Sequence, residues 1–110
     1  MTADDLYQLL KKAQEPKGYF FNGDKGWVLP ILHDMLVNKA RYGYTSCPCR
    51  LASGDREKDR DIICPCVYRE ADVGEYGSCY CNLYVSQDWN ENKILRRYVP
   101  ERRPPDKTFF

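Results

Sequence analysis

The stretch TSCPCR, residues 45–50, sets two cysteines on either side of one proline, and the pattern returns as CPC at 64–66 and CYC at 79–81. These are all six cysteines of the chain. A residue before proline is pushed out of the helical region, and proline fixes its own φ, so Cys47, Cys49, Cys64 and Cys66 are expected on rigid, non-helical backbone. A disulfide needs a specific dihedral and Cα atoms roughly 4.4 to 6.8 Å apart, so two thiols held this way resist bonding to each other and look for partners in other pairs. The six then divide most naturally into four ligands for one metal centre and two left over. Four thiolates suit a structural zinc or an iron-sulfur cluster. Zinc sites usually draw on knuckles with wider spacing than one residue, and the chain has none. Spacing alone leaves a cluster, a zinc site and a disulfide scaffold open.

Outward from the cysteines, the chain has the length of one domain: 110 residues, 43% of them apolar, give a core that a metal or covalent staple would help. Net charge is +1, which gives no global field for nucleic acid, although LRRYVPERRPPDK near the end is locally basic. The N-terminal MTADDLYQLLKK has no long apolar run of a secretory signal, and no stretch approaches the roughly 18 apolar residues of a membrane span. The expected place is the cytoplasm, whose reducing conditions move six cysteines from structural disulfides towards metal or redox chemistry.

Thr2 can cap a first helix with an apolar stripe of Leu6, Leu9, Leu10 and Ala13, ended by Pro16 and Gly18. Trp27, Val28, Ile31, Leu32, Met35 and Leu36 form a second stripe before Gly43, with Pro30 either in the first turn or kinking the helix. SGDREKDRDII, from Ser53, reads as a short charged helix facing solvent. NLYV at 82–85 reads as a short strand, and Ser86 as the cap of a last helix through QDWNENKILRRYV. From about residue 100 a flexible basic tail is expected.

The residues also carry a resemblance. GYFFN, LVNKARYGYTSCPCRLASG and the second CPC resemble the catalytic subunit family of ferredoxin:thioredoxin reductase, over about residues 18 to 85. That family's pattern is two Cys-Pro-Cys pairs followed by Cys-His-Cys. Here the third pair holds Tyr80 in place of the histidine, and the loop between the second and third pairs is longer than in plant and cyanobacterial members. The chain is therefore most similar to the wider ferredoxin:disulfide reductase group.

The resemblance implies a mainly α single domain over 1–110, of about five short helices and loops packed around a [4Fe-4S] cluster. It makes Cys47, Cys64, Cys66 and Cys79 the iron ligands. Cys49 and Cys81 become a redox-active disulfide, with Tyr80 a candidate hydrogen-bond donor where the family has a proton-carrying histidine. Ferredoxin is the implied one-electron donor, and a thioredoxin or glutaredoxin-like protein the acceptor, with a possible small accessory subunit and no nucleic acid or membrane partner. About −400 mV for a plant-type ferredoxin against about −270 mV for thioredoxin leaves about 6 kcal/mol for two electrons, so the couple runs downhill. From Arg50 and the loop behind it, Cys49 is expected to be the accessible attacking thiol, and Cys81, leading into LYV, the buried one. The single histidine, His33, is read as a packing or surface residue. The alternative is a structural zinc-binding interaction module in which Cys49 and Cys81 are inert.

Overall fold

The computed structural model describes residues 1–108; a single domain over 1–110 thus includes two residues outside the described ones. Helix α1 (Ala3–Gln14) starts where the Thr2 hydroxyl accepts from the Asp5 amide at 3.2 Å and the Asp5 carboxylate accepts from the Thr2 amide at 3.0 Å. This reciprocal cap satisfies two amides that the helix itself cannot. The buried side of α1 carries Leu6, Tyr7, Leu10 and Gln14, whereas Leu9 and Ala13 of the expected stripe are exposed. Gln14 sets that rotation, because its side-chain oxygen accepts from Arg69 Nη1 at 2.7 Å. A 3-10 turn through Pro16 follows, and Gly18, at φ 89°, turns the chain out.

Helix α2 (Lys25–Tyr42) buries Val28, Ile31, Leu32 and Met35 against α1 and the cysteine loops, and closes on Gly43. Pro30 is its sixth residue, beyond the first turn, so the Gly26 carbonyl loses its usual helical donor. Strand β1 (Phe20–Phe21) pairs antiparallel with β2 (Tyr84–Val85), Phe21 opposite Tyr84. The expected extended run at 82–85 thereby finds its partner. Phe21 stacks on Tyr7 and Tyr84 at ring distances of 4.9 and 5.3 Å, which joins α1 to the strands.

Three expectations about elements are corrected. Residues 53–63 form turns and one 3-10 turn (Arg60–Ile62), and their charges do not all face water: Asp59 and Asp61 are buried. Asp59 draws the chain inward because its carboxylate accepts from Ser53 N, Gly54 N and the Tyr44 hydroxyl, a demand a regular helix could not meet. The helix of this region lies after the second cysteine pair instead, as α3 (Arg69–Tyr76), ending at Gly77.

The last helix is also shorter than its pattern. Ser86 caps it as expected, accepting from Trp89 N at 3.1 Å, but α4 spans only Gln87–Asn90. Asn92 turns left-handed at φ 58°, and Arg96 donates to the Trp89 carbonyl while its guanidinium sits 3.9 Å from the centre of that indole. Beyond it, where a flexible basic tail is expected, Val99 and Arg103 are buried and Glu101 is half-buried. Buried acids on the domain supply the reason: Arg103 pairs with Asp61 at 2.9 Å, and Arg102 with Asp72 at 2.8 Å. A short helix α5 (Pro105–Thr108) closes the described chain.

The expected mainly α domain is present, with five α-helices among the described residues and two two-residue strands. None of these helices is long and apolar enough to cross a membrane.

Candidate redox and metal centre

The three cysteine pairs come together because short backbone bonds cross between their loops. Ser46 and Ile63 form an isolated antiparallel bridge, with Cys47 N donating to Ile62 O and Cys64 N to Thr45 O, both at 2.8 Å. The first two pairs are thus clamped edge to edge. The third pair lies in a tight turn in which Asn82, at φ 56°, lets its amide reach back to Cys79 O at 2.9 Å. Cys79 N then donates to Tyr84 O, so the turn is anchored to β2. Trp27 of α2 closes it from the other side, its indole N–H donating to Cys81 O at 2.9 Å.

Five cysteines, Cys47, Cys64, Cys66, Cys79 and Cys81, line one cavity. Ile31, Leu83 and Tyr84 supply apolar wall, and Arg50 and Arg69 supply positive charge. Cys49 stands at the outer edge, exposed, while Cys81 is 6% exposed; the expected contrast between the two thiols is present. The Sγ atoms of Cys47, Cys49 and Cys81 all lie within 4.8 Å of one another, and Cys47 and Cys81 are 2.9 Å apart. The tightest trio therefore combines one expected iron ligand with both expected redox thiols.

Burial pushes the thiols of Cys64, Cys66 and Cys79 up, Cys79 to about 11. A cation that binds here must displace protons that the protein alone would keep. Cys49 differs: hydrogen bonds from the Cys47 and Cys81 thiols, followed by the Arg50 charge, hold it below the ordinary thiol value. Hydrogen bonds to Cys47 and Cys49, and then burial, raise Cys81. Tyr84 N points at Cys79 Sγ from 3.3 Å, a backbone donor that favours the thiolate at that position.

The donor set fits a soft metal centre. Cys47, Cys64, Cys66 and Cys79 present four sulfurs around one apolar-walled space, and two guanidiniums offset their charge as thiolates. Tyr80 also lines the cavity, its ring 4.6 Å from the Arg50 guanidinium carbon, and burial raises its phenol so that it stays protonated at neutral pH. His33 is exposed on α2 and is not among the residues lining the cavity.

Sequence reasoning missed Glu101 and Arg69. Glu101 lies 51 residues from Arg50, which it pairs with at 2.8 Å, and no local pattern announces such a contact. Arg69 sits on α3 with its guanidinium over Tyr19 and Tyr84.

No curated protein matches the chain. The family model described as ferredoxin thioredoxin reductase catalytic beta chain matches residues 2–101, which takes in all three cysteine pairs and the segment that carries Glu101. The match extends over most of the chain, and the protein belongs to the ferredoxin thioredoxin reductase catalytic beta chain family.

Proposed function

We propose that the protein is an iron-sulfur disulfide reductase that takes electrons one at a time from ferredoxin and delivers them in pairs to the disulfide of thioredoxin or a thioredoxin-like protein. The observation that carries this reading is the division of the six cysteines, five around one cavity and Cys49 exposed at its edge with its sulfur within reach of Cys47 and Cys81. Cys47, Cys64, Cys66 and Cys79 would hold a [4Fe-4S] cluster. When bound, that cluster supplies single-electron storage next to a thiol pair, which two-electron disulfide chemistry otherwise lacks.

The chain's own residues do the rest. As a thiolate, Cys49 attacks one sulfur of the target disulfide; a mixed disulfide forms and the target's other sulfur leaves as a thiol after taking up a proton. Cys81 then attacks Cys49 Sγ, the Cys49–Cys81 disulfide forms, and the second target thiol is released. Two electrons and two protons restore the starting dithiol, the electrons coming from two ferredoxins. Arg50 favours the attacking thiolate by its charge, and the hydrogen bonds from Cys47 and Cys81 lower the cost of holding it. Burial of Cys81 keeps the resolving sulfur from side reactions with other thiols. Exposed Leu51 and Val37, beside Cys49 in sequence and across the adjoining groove, give a target apolar surface to rest on. A small accessory subunit fits the same reading, as does the cytoplasm, where targets are kept turning over between thiol and disulfide.

Anaerobically purified protein tests the cofactor. The reading expects brown protein with broad absorbance near 400 nm and about four irons per chain. Colourless protein with one zinc would replace it by the zinc-bound interaction module.

A further inference from the structure

Arg50, in the first cysteine loop, bonds both to cysteine sulfurs and to the C-terminal segment. Its side chain is 2% exposed. Nη1 points at Cys66 Sγ from 3.5 Å and at Cys47 Sγ from 3.8 Å, while Nε and Nη2 grip Glu101 at 2.8 to 3.0 Å. The guanidinium lies over the rings of Tyr80, at 4.6 Å, and Tyr68, at 5.3 Å. Such a fork cannot deprotonate and cannot turn without losing all of these contacts at once.

Glu101 is fixed in its turn. Its carboxylate accepts from Arg103 N at 2.9 Å, and Arg103 is buried against Asp61, which also accepts from the Tyr68 hydroxyl. The residues between the second pair and α3 are thereby tied to the C-terminal segment. The consequence is a permanent cation within bonding distance of two cysteine sulfurs, with one carboxylate behind it that cancels part of its field.

We propose that Arg50 and Glu101 form a positioning pair that sets the electron affinity of the sulfur site: Arg50 raises it by a fixed positive charge, and Glu101 holds that charge in place and tempers it. This rests on the iron-sulfur reading above. Replacing one member of a merely structural pair disturbs the fold in the same sense whichever member is lost. An electrostatic pair instead moves the site's potential in opposite senses, because removing a cation disfavours the added electron and removing an anion favours it.

The test is a spectroscopic redox titration of the iron-loaded protein and its variants. Arg50→Gln should weaken uptake of the first electron by about tenfold, a fall of about 59 mV for one electron. Arg50→Lys, which keeps the charge, should stay nearer the wild-type value, and Glu101→Gln should shift the potential upward. Should Arg50→Gln fail to fold, the other two variants still decide, since Arg50→Lys keeps the cation and should hold near the wild-type potential while Glu101→Gln loses the anion and should rise above it. Potentials that do not move, or that fall in both Arg50→Gln and Glu101→Gln, would overturn the pair's role while leaving the iron-sulfur reading intact. Wild-type protein that binds no iron would overturn the reading and the inference together.

Discussion

Asp59 shows how much a single side chain can organise near the cysteines. It is fully buried, yet its carboxylate stays ionised: burial alone would raise its value, and the bonds from Tyr44, Ser53 and Gly54 outweigh that and lower it. Asp59→Ala removes the acceptor of four donors, the buried Tyr44 hydroxyl and the part-buried Ser53 N, Ser53 Oγ and Gly54 N, so it should cost roughly 3 kcal/mol, read as a shift in the urea midpoint at constant m-value. Its partner gives a pH signature. Tyr44 is pushed up to about 12, by burial first and the Asp59 bond second. The unfolded chain loses this proton near pH 10 while the folded one keeps it, so the contribution is whole below pH 10 and is lost as pH rises towards 12. Stability should fall more steeply over that window in wild type than in Tyr44→Phe, with tyrosinate absorbance marking the transition; equal slopes would remove Tyr44 from the account. Neither residue declared itself in the sequence. Asp59 sits among Arg, Glu and Lys that do face solvent, and its burial depends on Tyr44, 15 residues away, and on a loop that closes over it.

Elements were legible where their signals are local. The Thr2 cap, the stripe on α2 and the Ser86 cap each rest on residues within one or two turns; both caps are found, and so is the stripe except for Trp27, which is 49% exposed. Lengths were less legible, because they depend on tertiary partners. The α4 helix ends early as Arg96 takes a helix carbonyl and Asn92 turns left-handed, and the helix expected at 53–63 yields to the demands of Asp59. Two helix ends give a matched comparison. Gly43 after α2 and Gly77 after α3 both sit at positive φ, 87° and 79°. A Cβ at Gly43 meets open space, so Gly43→Ala should cost about 1 kcal/mol of left-handed strain and no more. A Cβ at Gly77 would displace the partly exposed Cδ1 end of Ile94 and press at 3.3 Å on Ser86 and Trp89, so Gly77→Ala should cost more than Gly43→Ala by thermal melting of the two variants side by side. Similar losses would show that the 86–94 loop gives way freely.

For the whole molecule, the proposed cluster would be the staple that so small a core needs. The candidate site was readable in outline: paired cysteines on rigid loops, Cys49 outside and Cys81 inside. The pattern of the pairs already pointed to one shared centre, whereas the Arg50–Glu101 contact depends on the fold and had no local sign. Because burial disfavours the thiolates that a cluster requires, binding of the proposed cluster and folding of the loops would be coupled. Chelation or oxidative loss of iron should lower the melting temperature by ten degrees or more and unfold the cysteine loops before α1 and α2, as read by hydrogen exchange. Single Ser replacements should likewise fall into two groups, with Cys47, Cys64, Cys66 and Cys79 losing colour, and Cys49 and Cys81 keeping colour but losing disulfide reduction.

The most direct measurement is the position of the mixed disulfide. Reduced protein is mixed with a thioredoxin whose resolving cysteine is Ser, and the stable cross-link is located by peptide mapping. Because Cys49 is the exposed thiol and Cys81 lies beneath it at 6% exposure, the cross-link is expected at Cys49; a cross-link mainly at Cys81, or at one of the four proposed iron ligands, would contradict the division of labour on which the account stands.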